Sequence, residues 1–224
     1  LSMSWLNHSL FFIDFEGNKN SGVLEYGVVE LNQGKIINTK TRLCRSRSVI
    51  KENDFEFHGL TNHMCDSEAY FSDEWEYFAS IRERGYFVSH FSGTENALLK
   101  ATWPYTRKSY DVLNQTKTHN EWGPWIDTAR LYGQFFPNFQ SAKLEEIVRA
   151  AGLQNTLSDL ALRHCPSKRQ TYHCALYDAL AGALLLTALG NIPDVKQLSL
   201  AQLVSLSTLN ADKRAGFEQK QFDL

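Results

Sequence analysis

Residues 10–16, Leu-Phe-Phe-Ile-Asp-Phe-Glu, constrain the fold more than any other stretch. Five of the seven are large and apolar, and they occupy both alternating faces, which is the pattern of a strand covered on both sides. The two acids lie two residues apart. Successive side chains on a strand point to opposite faces, so Asp14 and Glu16 share one face with Cα atoms about 6–7 Å apart. Ile13 and Phe15 take the other. Burying adjacent carboxylates costs several kcal/mol unless something positive lies between them. A solvated edge strand would avoid that cost, but apolar residues on both faces fit a central strand better. A metal ion is the simplest counter-charge.

The rest of the chain supplies a frame for such a strand. Residues 10–16, 23–31 and 35–43 read as three strands joined by the polar, glycine-containing turns Gly-Asn-Lys-Asn-Ser-Gly and Asn-Gln-Gly, an antiparallel meander. A loop holding Phe-His-Gly-Leu-Thr-Asn follows, then a helix over about 67–84, a short strand at 86–91 and a helix through 94–101. Residues 103–124 read as an irregular insertion rich in aromatic and polar side chains. Trp-Ile-Asp-Thr-Ala-Arg-Leu-Tyr reads as a strand entering a helix, with Asp127 or Thr128 placed to cap it. Amphipathic helices follow, one of them ending at Gly152. A basic loop then leads to a long apolar helix over about 173–189, and the tail carries one more amphipathic segment. Three antiparallel strands followed by strands alternating with helices give an α/β protein, a mixed sheet with helices on its faces.

Composition narrows the function classes. The 224 residues, 43% hydrophobic and 21% charged, suffice for one packed domain. With 23 Lys plus Arg against 25 Asp plus Glu, the formal net charge is -2. That excludes a strongly polycationic wrapper of long nucleic acid and leaves room for a local basic rim. Cys44, Cys65, Cys165 and Cys174 show no Cys-x-x-Cys pairing, which predicts a reduced, cytoplasmic compartment. The longest apolar run, Ala179 to Leu189, is too short to span a bilayer, so no membrane partner is expected. The expected division is an N-terminal extension over 1–9 that begins with an expression remnant, a main domain over 10–190, and a helical tail over 191–224.

A second acidic position lies far downstream. Asp178 sits in the middle of the apolar helix, where aspartate has poor helix propensity. His173 is five residues earlier, about one and a half turns, so the two cannot stack on one helical face. They converge only if His173 lies on the loop entering the helix, over a site that Asp178 touches from beneath.

The order of these segments, Asp-Phe-Glu-Gly, His-Gly-Leu-Thr, Trp-Ile-Asp-Thr-Ala-Arg-Leu, Leu-Glu-Glu-Ile-Val-Arg-Ala-Ala-Gly-Leu and His-Cys-Ala-Leu-Tyr-Asp-Ala, resembles the DEDDh family of 3′–5′ exonucleases over roughly residues 10–190. The resemblance implies a ribonuclease-H-like fold with a mixed five-stranded sheet. It also implies two divalent metal ions, Mg²⁺ or Mn²⁺, held by Asp14, Glu16, Asp178 and a middle carboxylate, with His173 as the general base. Hard cations take carboxylate oxygens and stabilise both the attacking and the leaving oxygen of a phosphodiester, and imidazole titrates near neutrality. The tyrosine subtype would place Tyr where this chain has Cys174. The middle carboxylate departs from the pattern: in Ser-His-Phe-Ser-Gly-Thr-Glu-Asn, Glu95 stands where aspartate is usual and Phe91 where asparagine is usual. Glu95 reads equally as a metal ligand or as an acid favoured in the first helical turn. His90 reads as a packed or hydrogen-bonded histidine.

The resemblance further implies that His58 and Gly59 lie beside the 3′-terminal nucleotide, with glycine permitting close backbone approach. Phe15 could pack on a terminal sugar or base, and Arg163, Lys168 and Arg169 could hold backbone phosphates. Trp103, Tyr105, Trp122 and Trp125, with Arg107 and Lys108, have the composition of a single-strand stacking surface, although core packing is the better reading for most of them. The terminal Gln-Phe-Asp-Leu loosely resembles a sliding-clamp-binding peptide, which would place the chain in replication or repair. Single-stranded DNA or RNA 3′ ends are the expected substrate, with nucleoside monophosphates as products. A degenerate fold that binds nucleic acid or a partner without cleaving, and a hydrolase of small phosphodiesters, are the competing readings.

Overall fold

The meander forms as expected in the computed structural model, which describes residues 3–111 and 114–208. β1 (Leu10–Asn18), β2 (Gly22–Asn32) and β3 (Lys35–Leu43) pair antiparallel in sequence order. The chain turns through Gly22 and Gly34, both at positive φ. Short helices α1 (Glu52–His58) and α2 (Asn62–Cys65) carry it to α3 (Trp75–Arg84) and β4 (Tyr86–Ser89). Next come α4 (Ser92–Thr102), the strands β5 (Ser109–Asp111) and β6 (Asn114–His119), and β7 (Trp125–Asp127). The remainder is helical: α5 (Thr128–Phe135), α6 (Leu144–Ala150), α7 (Gln154–His164), α8 (Ala175–Leu189), α9 (Pro193–Lys196) and α10 (Leu200–Leu206).

The sheet order is β3-β2-β1-β4-β7, with β4 parallel to both β1 and β7. This is the mixed five-stranded sheet of the ribonuclease-H-like fold, and β1 is its central strand. Alternation along β1 divides the interior into two cores. Phe11, Ile13 and Phe15 pack with Phe71 and Phe78 on one side, while Leu10 and Phe12 pack with α8 on the other. Asp14 and Glu16 continue the α8 side. That helix is apolar nearly all round because the sheet, α6 and α7 enclose it. Two glycines let it come close. A Cβ on Gly27 would lie 2.4 Å from the Ala175 backbone, and one on Gly182 would lie 2.0 Å from the Phe12 ring. This contact sets Asp178 over the strand that carries Asp14.

Two expectations change. The insertion at 103–124 is not wholly irregular, because β5 and β6 pair antiparallel within it. Trp103 and Trp122 are buried there and support core packing rather than an open stacking surface, while Tyr105 is exposed. Buried Arg82 of α3 ties the insertion down, donating to the carbonyls of Trp122 at 2.8 Å and Gly123 at 2.7 Å. Arg107 is held by Glu76 and Glu83. The helix expected from residue 67 starts only at Trp75. The preceding chain is held extended by a bridge between Arg45 and Tyr70, and it buries Phe71 in a 3₁₀ turn.

The first and last described segments pack on the same core. The Trp5 indole donates to the Val195 carbonyl at 2.9 Å, and Val195, Leu200, Leu203 and Val204 join Trp5 in the α8-side cluster. Among the described residues, no helix is long and apolar enough to cross a membrane. The Gln-Phe-Asp-Leu peptide lies outside the described residues.

Candidate active site

The second half of β1 forms the floor of a cavity of about 560 Å³. Asp14 pairs with Gly27 and Glu16 with Glu25, and the register slips by one residue between Glu16 and Gly17, a bulge at the rim. Asp178, in the first turn of α8, and Glu95, in the first turn of α4, reach the same cavity. His173 does not belong to α8. It sits on the loop before the helix in a left-handed conformation with φ 63°. Its backbone N–H donates to Asp178 Oδ2 at 3.0 Å, and its exposed ring lies against Phe57 with centroids 4.0 Å apart. The helix expected from about residue 173 thus starts only at Ala175, which meets the condition for His173 and Asp178 to converge. Ligand-capable atoms of Glu16, His173 and Asp178 lie within 4.8 Å of one another.

The electrostatics mark the cavity as unbalanced. Burial pushes Asp14 well above the ordinary carboxylate range, and the charges of Asp178, Glu16, Glu95 and Glu25 add to it. Burial likewise carries Glu16 to about 8, with Asp178 and Glu25 contributing. Glu95 rises to about 8 and Asp178 to about 7, again chiefly through burial. Glu95 Oε2 and Asp178 Oδ1 are buried without a hydrogen-bond partner. Native proteins leave few such atoms orphaned. Three buried carboxylates and half-buried Asp14, two of the four with a buried unpartnered oxygen, are the donor set of a hard divalent cation, which would satisfy those oxygens and favour the ionised form of each acid. The residues present therefore fit the implied metals.

Glu95 owes its placement to Asp127. The Asp127 carboxylate accepts from the backbone N–H groups of Phe91 at 3.3 Å, Ser92 at 2.9 Å and Arg130 at 3.2 Å, and from Ser92 Oγ at 3.0 Å. It therefore caps α5, as its position in the sequence predicts, and also fixes the start of α4. Phe91 is held there at φ 65° with its ring partly exposed at the cavity. His90 is a buried, bonded histidine, paired with Thr128 Oγ1 at 2.9 Å and the Ala142 carbonyl at 2.7 Å.

The candidate substrate residues divide. His58 ends α1 at the cavity wall, and Gly59 follows it in a left-handed conformation, exposed and outside the residues that line the cavity. His58 Nδ1 accepts the Leu60 N–H at 3.1 Å, so the neutral ring carries its proton on Nε2, a buried atom with no partner. Phe15 borders the cavity but packs mainly in the aromatic core, 5.3 Å from Phe71 and 5.8 Å from Phe78. Arg163 and Lys168 are exposed and do not line the cavity. Arg169 requires a correction. Rather than reaching out for phosphate, it is buried in a two-pronged ion pair with Glu25, because β2 carries an uncompensated acid beneath that loop. Sequence reasoning missed Glu25, although it obeys the rule that exposed Glu16: an acid in a buried strand, on the same face as its cross-strand neighbour. Phe57, Asn18 and Asp54 at the cavity edge carried no such signal.

No protein-family model and no curated protein sequence matches the chain. Solved structures do. Exonuclease X in complex with 5′-overhanging duplex DNA superposes with a TM-score of 0.64 at 19% identity, covering 89% of this chain and 99% of that one. The nuclease domain of 3′hExo, a DEDDh family member bound to rAMP, gives a TM-score of 0.56 at 15% identity, over 84% of this chain and 94% of that one. The zinc-bound form of E. coli ExoI with single-stranded DNA gives 0.61 at 11% identity, over 85% of this chain, which spans 42% of the larger protein. The chain has the fold of the DEDDh-type exonucleases.

Proposed function

We propose that the chain is a metal-dependent 3′–5′ exonuclease that hydrolyses the terminal phosphodiester of single-stranded DNA or RNA and releases nucleoside monophosphates. The observation that carries this reading is the cavity itself. Four carboxylates without an ion-pair partner, three of them buried and Asp14 half-buried, share it with an exposed imidazole whose backbone is tied to one of them. Asp14, Glu16, Glu95 and Asp178 would hold two divalent cations, Mg²⁺ or Mn²⁺. When bound, these supply Lewis-acid stabilisation of the charge that develops on the phosphodiester.

The other tasks fall to the chain's own groups. His173 takes the proton from the attacking water; its exposed ring can then pass that proton to solvent. Phe57 backs the imidazole and limits its swing. His58 is poised as a donor through Nε2 toward a sugar hydroxyl or phosphate oxygen in the cavity, and burial lowers its pKa and so keeps it neutral. Phe15 offers a ring edge at the cavity, and Gly59, next to His58 at the end of α1, would stand beside the terminal nucleotide. Arg163 and Lys168 are left for phosphates further along the strand.

The binding-only reading drew its support from Glu95 in place of aspartate. Burial of Glu95 in the same cavity, with an unpartnered oxygen, favours a complete acidic set instead. The test is a gel assay on 5′-labelled single-stranded DNA and RNA with Mg²⁺, Mn²⁺ or chelator. The proposal expects a ladder shrinking from the 3′ end that requires metal, is abolished in Asp14→Asn and Asp178→Ala, and is strongly reduced in Glu95→Ala. Binding of the oligonucleotides without any metal-dependent shortening would refute it.

A further inference from the structure

Glu25 is a further buried carboxylate beside the four acids of the cavity, on the sheet face that bears Asp14 and Glu16 and directly opposite Glu16 on the neighbouring strand. Unlike the other four, it is neutralised within the protein. Arg169 Nε donates to its Oε1 at 3.1 Å and Nη2 to its Oε2 at 2.5 Å, while the Ala175 N–H donates to Oε2 at 3.0 Å. It is therefore not part of the cation set, and the hydrolytic scheme makes no use of the pair.

The guanidinium reaches further. Nη1 donates to the carbonyl of His58 at 2.8 Å, and Nη2 to the carbonyl of His173 at 3.3 Å. One buried side chain thus joins the sheet through Glu25, the cavity wall through His58, and the loop that carries the exposed imidazole. His173 adopts a left-handed backbone, which is strained for a non-glycine residue and persists only when its surroundings over-determine it. The restraints are visible on both sides of the residue: its N–H is held by Asp178 and its C=O by Arg169. Gly59, also left-handed, lies beside the same guanidinium; a Cβ there would sit 3.7 Å from Nη1.

We infer that Arg169, oriented by its ion pair with Glu25, is a positioning residue that sets His173 and the His58 wall at their working separation. This rests on the reading of His173 as the base. Lysine cannot reproduce the fork, since a single ammonium replaces a planar group with donors in fixed directions.

The experiment compares wild type with Arg169→Lys and the milder Glu25→Gln, in steady-state hydrolysis of a labelled oligonucleotide and in NMR of the His173 ring proton, which the Phe57 ring displaces from its free position. Folded fraction is followed by circular dichroism. Arg169→Lys is expected to lower kcat by roughly tenfold to a hundredfold, as small misplacements of catalytic groups do, with KM changed less than about twofold. Glu25→Gln moves kcat in the same direction by less. The double variant is no worse than Arg169→Lys alone, because both act through one contact. In each variant the His173 resonance shifts toward that of free histidine. A rise in KM with kcat intact would overturn the inference and return Arg169 to phosphate binding. An unmoved His173 resonance in folded Arg169→Lys would also overturn it. If the wild type fails to cleave any strand, the nuclease reading falls, and the resonance alone then decides the positioning role.

Discussion

Removing a charge from the cavity should stabilise the metal-free protein, and Glu16→Gln is the cleanest case. Glu16 is 6% exposed, and its carboxyl is pushed from an ordinary 4.5 to about 8 by burial first, then by Asp178 and Glu25, with Arg169 opposing. A carboxyl whose value is raised on folding holds its proton more tightly in the folded state. Its favourable contribution is therefore full below about pH 4.5 and is lost as pH rises through about 8. Each pH unit between the two values is worth about 1.4 kcal/mol, which bounds the loss at roughly 5 kcal/mol in alkali. Water entry and relaxation of the site bring the expected gain for Glu16→Gln to about 2–4 kcal/mol at pH 8.5. For a chain of this size that corresponds to a rise in Tm of about 5–12 °C. Thermal melts in EDTA at pH 5 and 8.5 measure it, and the gain should nearly vanish at pH 5. Mn²⁺ should raise the Tm of wild type at pH 8.5 and raise that of the variant much less. A variant no more stable than wild type at pH 8.5, or equally favoured at pH 5, would refute the view that the acids are held together at a cost that a cation relieves.

Other substitutions probe the scaffold. Phe91→Asn places a residue that tolerates the left-handed region at φ 65° and should raise Tm by about 2–4 °C in a calorimetric scan; a lower Tm would show that the ring's contact with His90 outweighs the strain. Asp127→Ala removes the acceptor of four hydrogen bonds and should cost about 2–3 kcal/mol in urea unfolding. Because Glu95 loses its anchor, metal affinity measured by calorimetric titration should weaken as well. Gly27→Ala drives a Cβ into the Ala175 and Leu176 backbone and should cost roughly 3 kcal/mol in the same denaturation assay, with α8 displaced and activity lost even where the fold persists.

Much of the site is legible along the chain because strands and helices impose local periodicities. The alternation that puts Asp14 and Glu16 on one face is a property of seven residues, and the five-residue gap from His173 to Asp178 shows that the two converge only if the histidine lies outside the helix. The β5–β6 pairing escaped because no apolar alternation marks those residues. The late start of α3 escaped because a distant bridge, not propensity, decides it.

Arg169 shows where local reasoning stops. A basic residue in a basic loop is ordinarily solvated, and nothing nearby in sequence signals that Glu25, 144 residues away, waits beneath it. Glu95 is the complementary case: its helix-start position fits two roles, and only its burial beside Asp14 and Asp178 weighs between them. The sequence by itself determined the strand order of the meander and the paired acids, since each follows from the geometry of a short segment. Only the tertiary structure decided which charges are neutralised within the protein and which are left for a cation, because a charge's partner is chosen by distance in space.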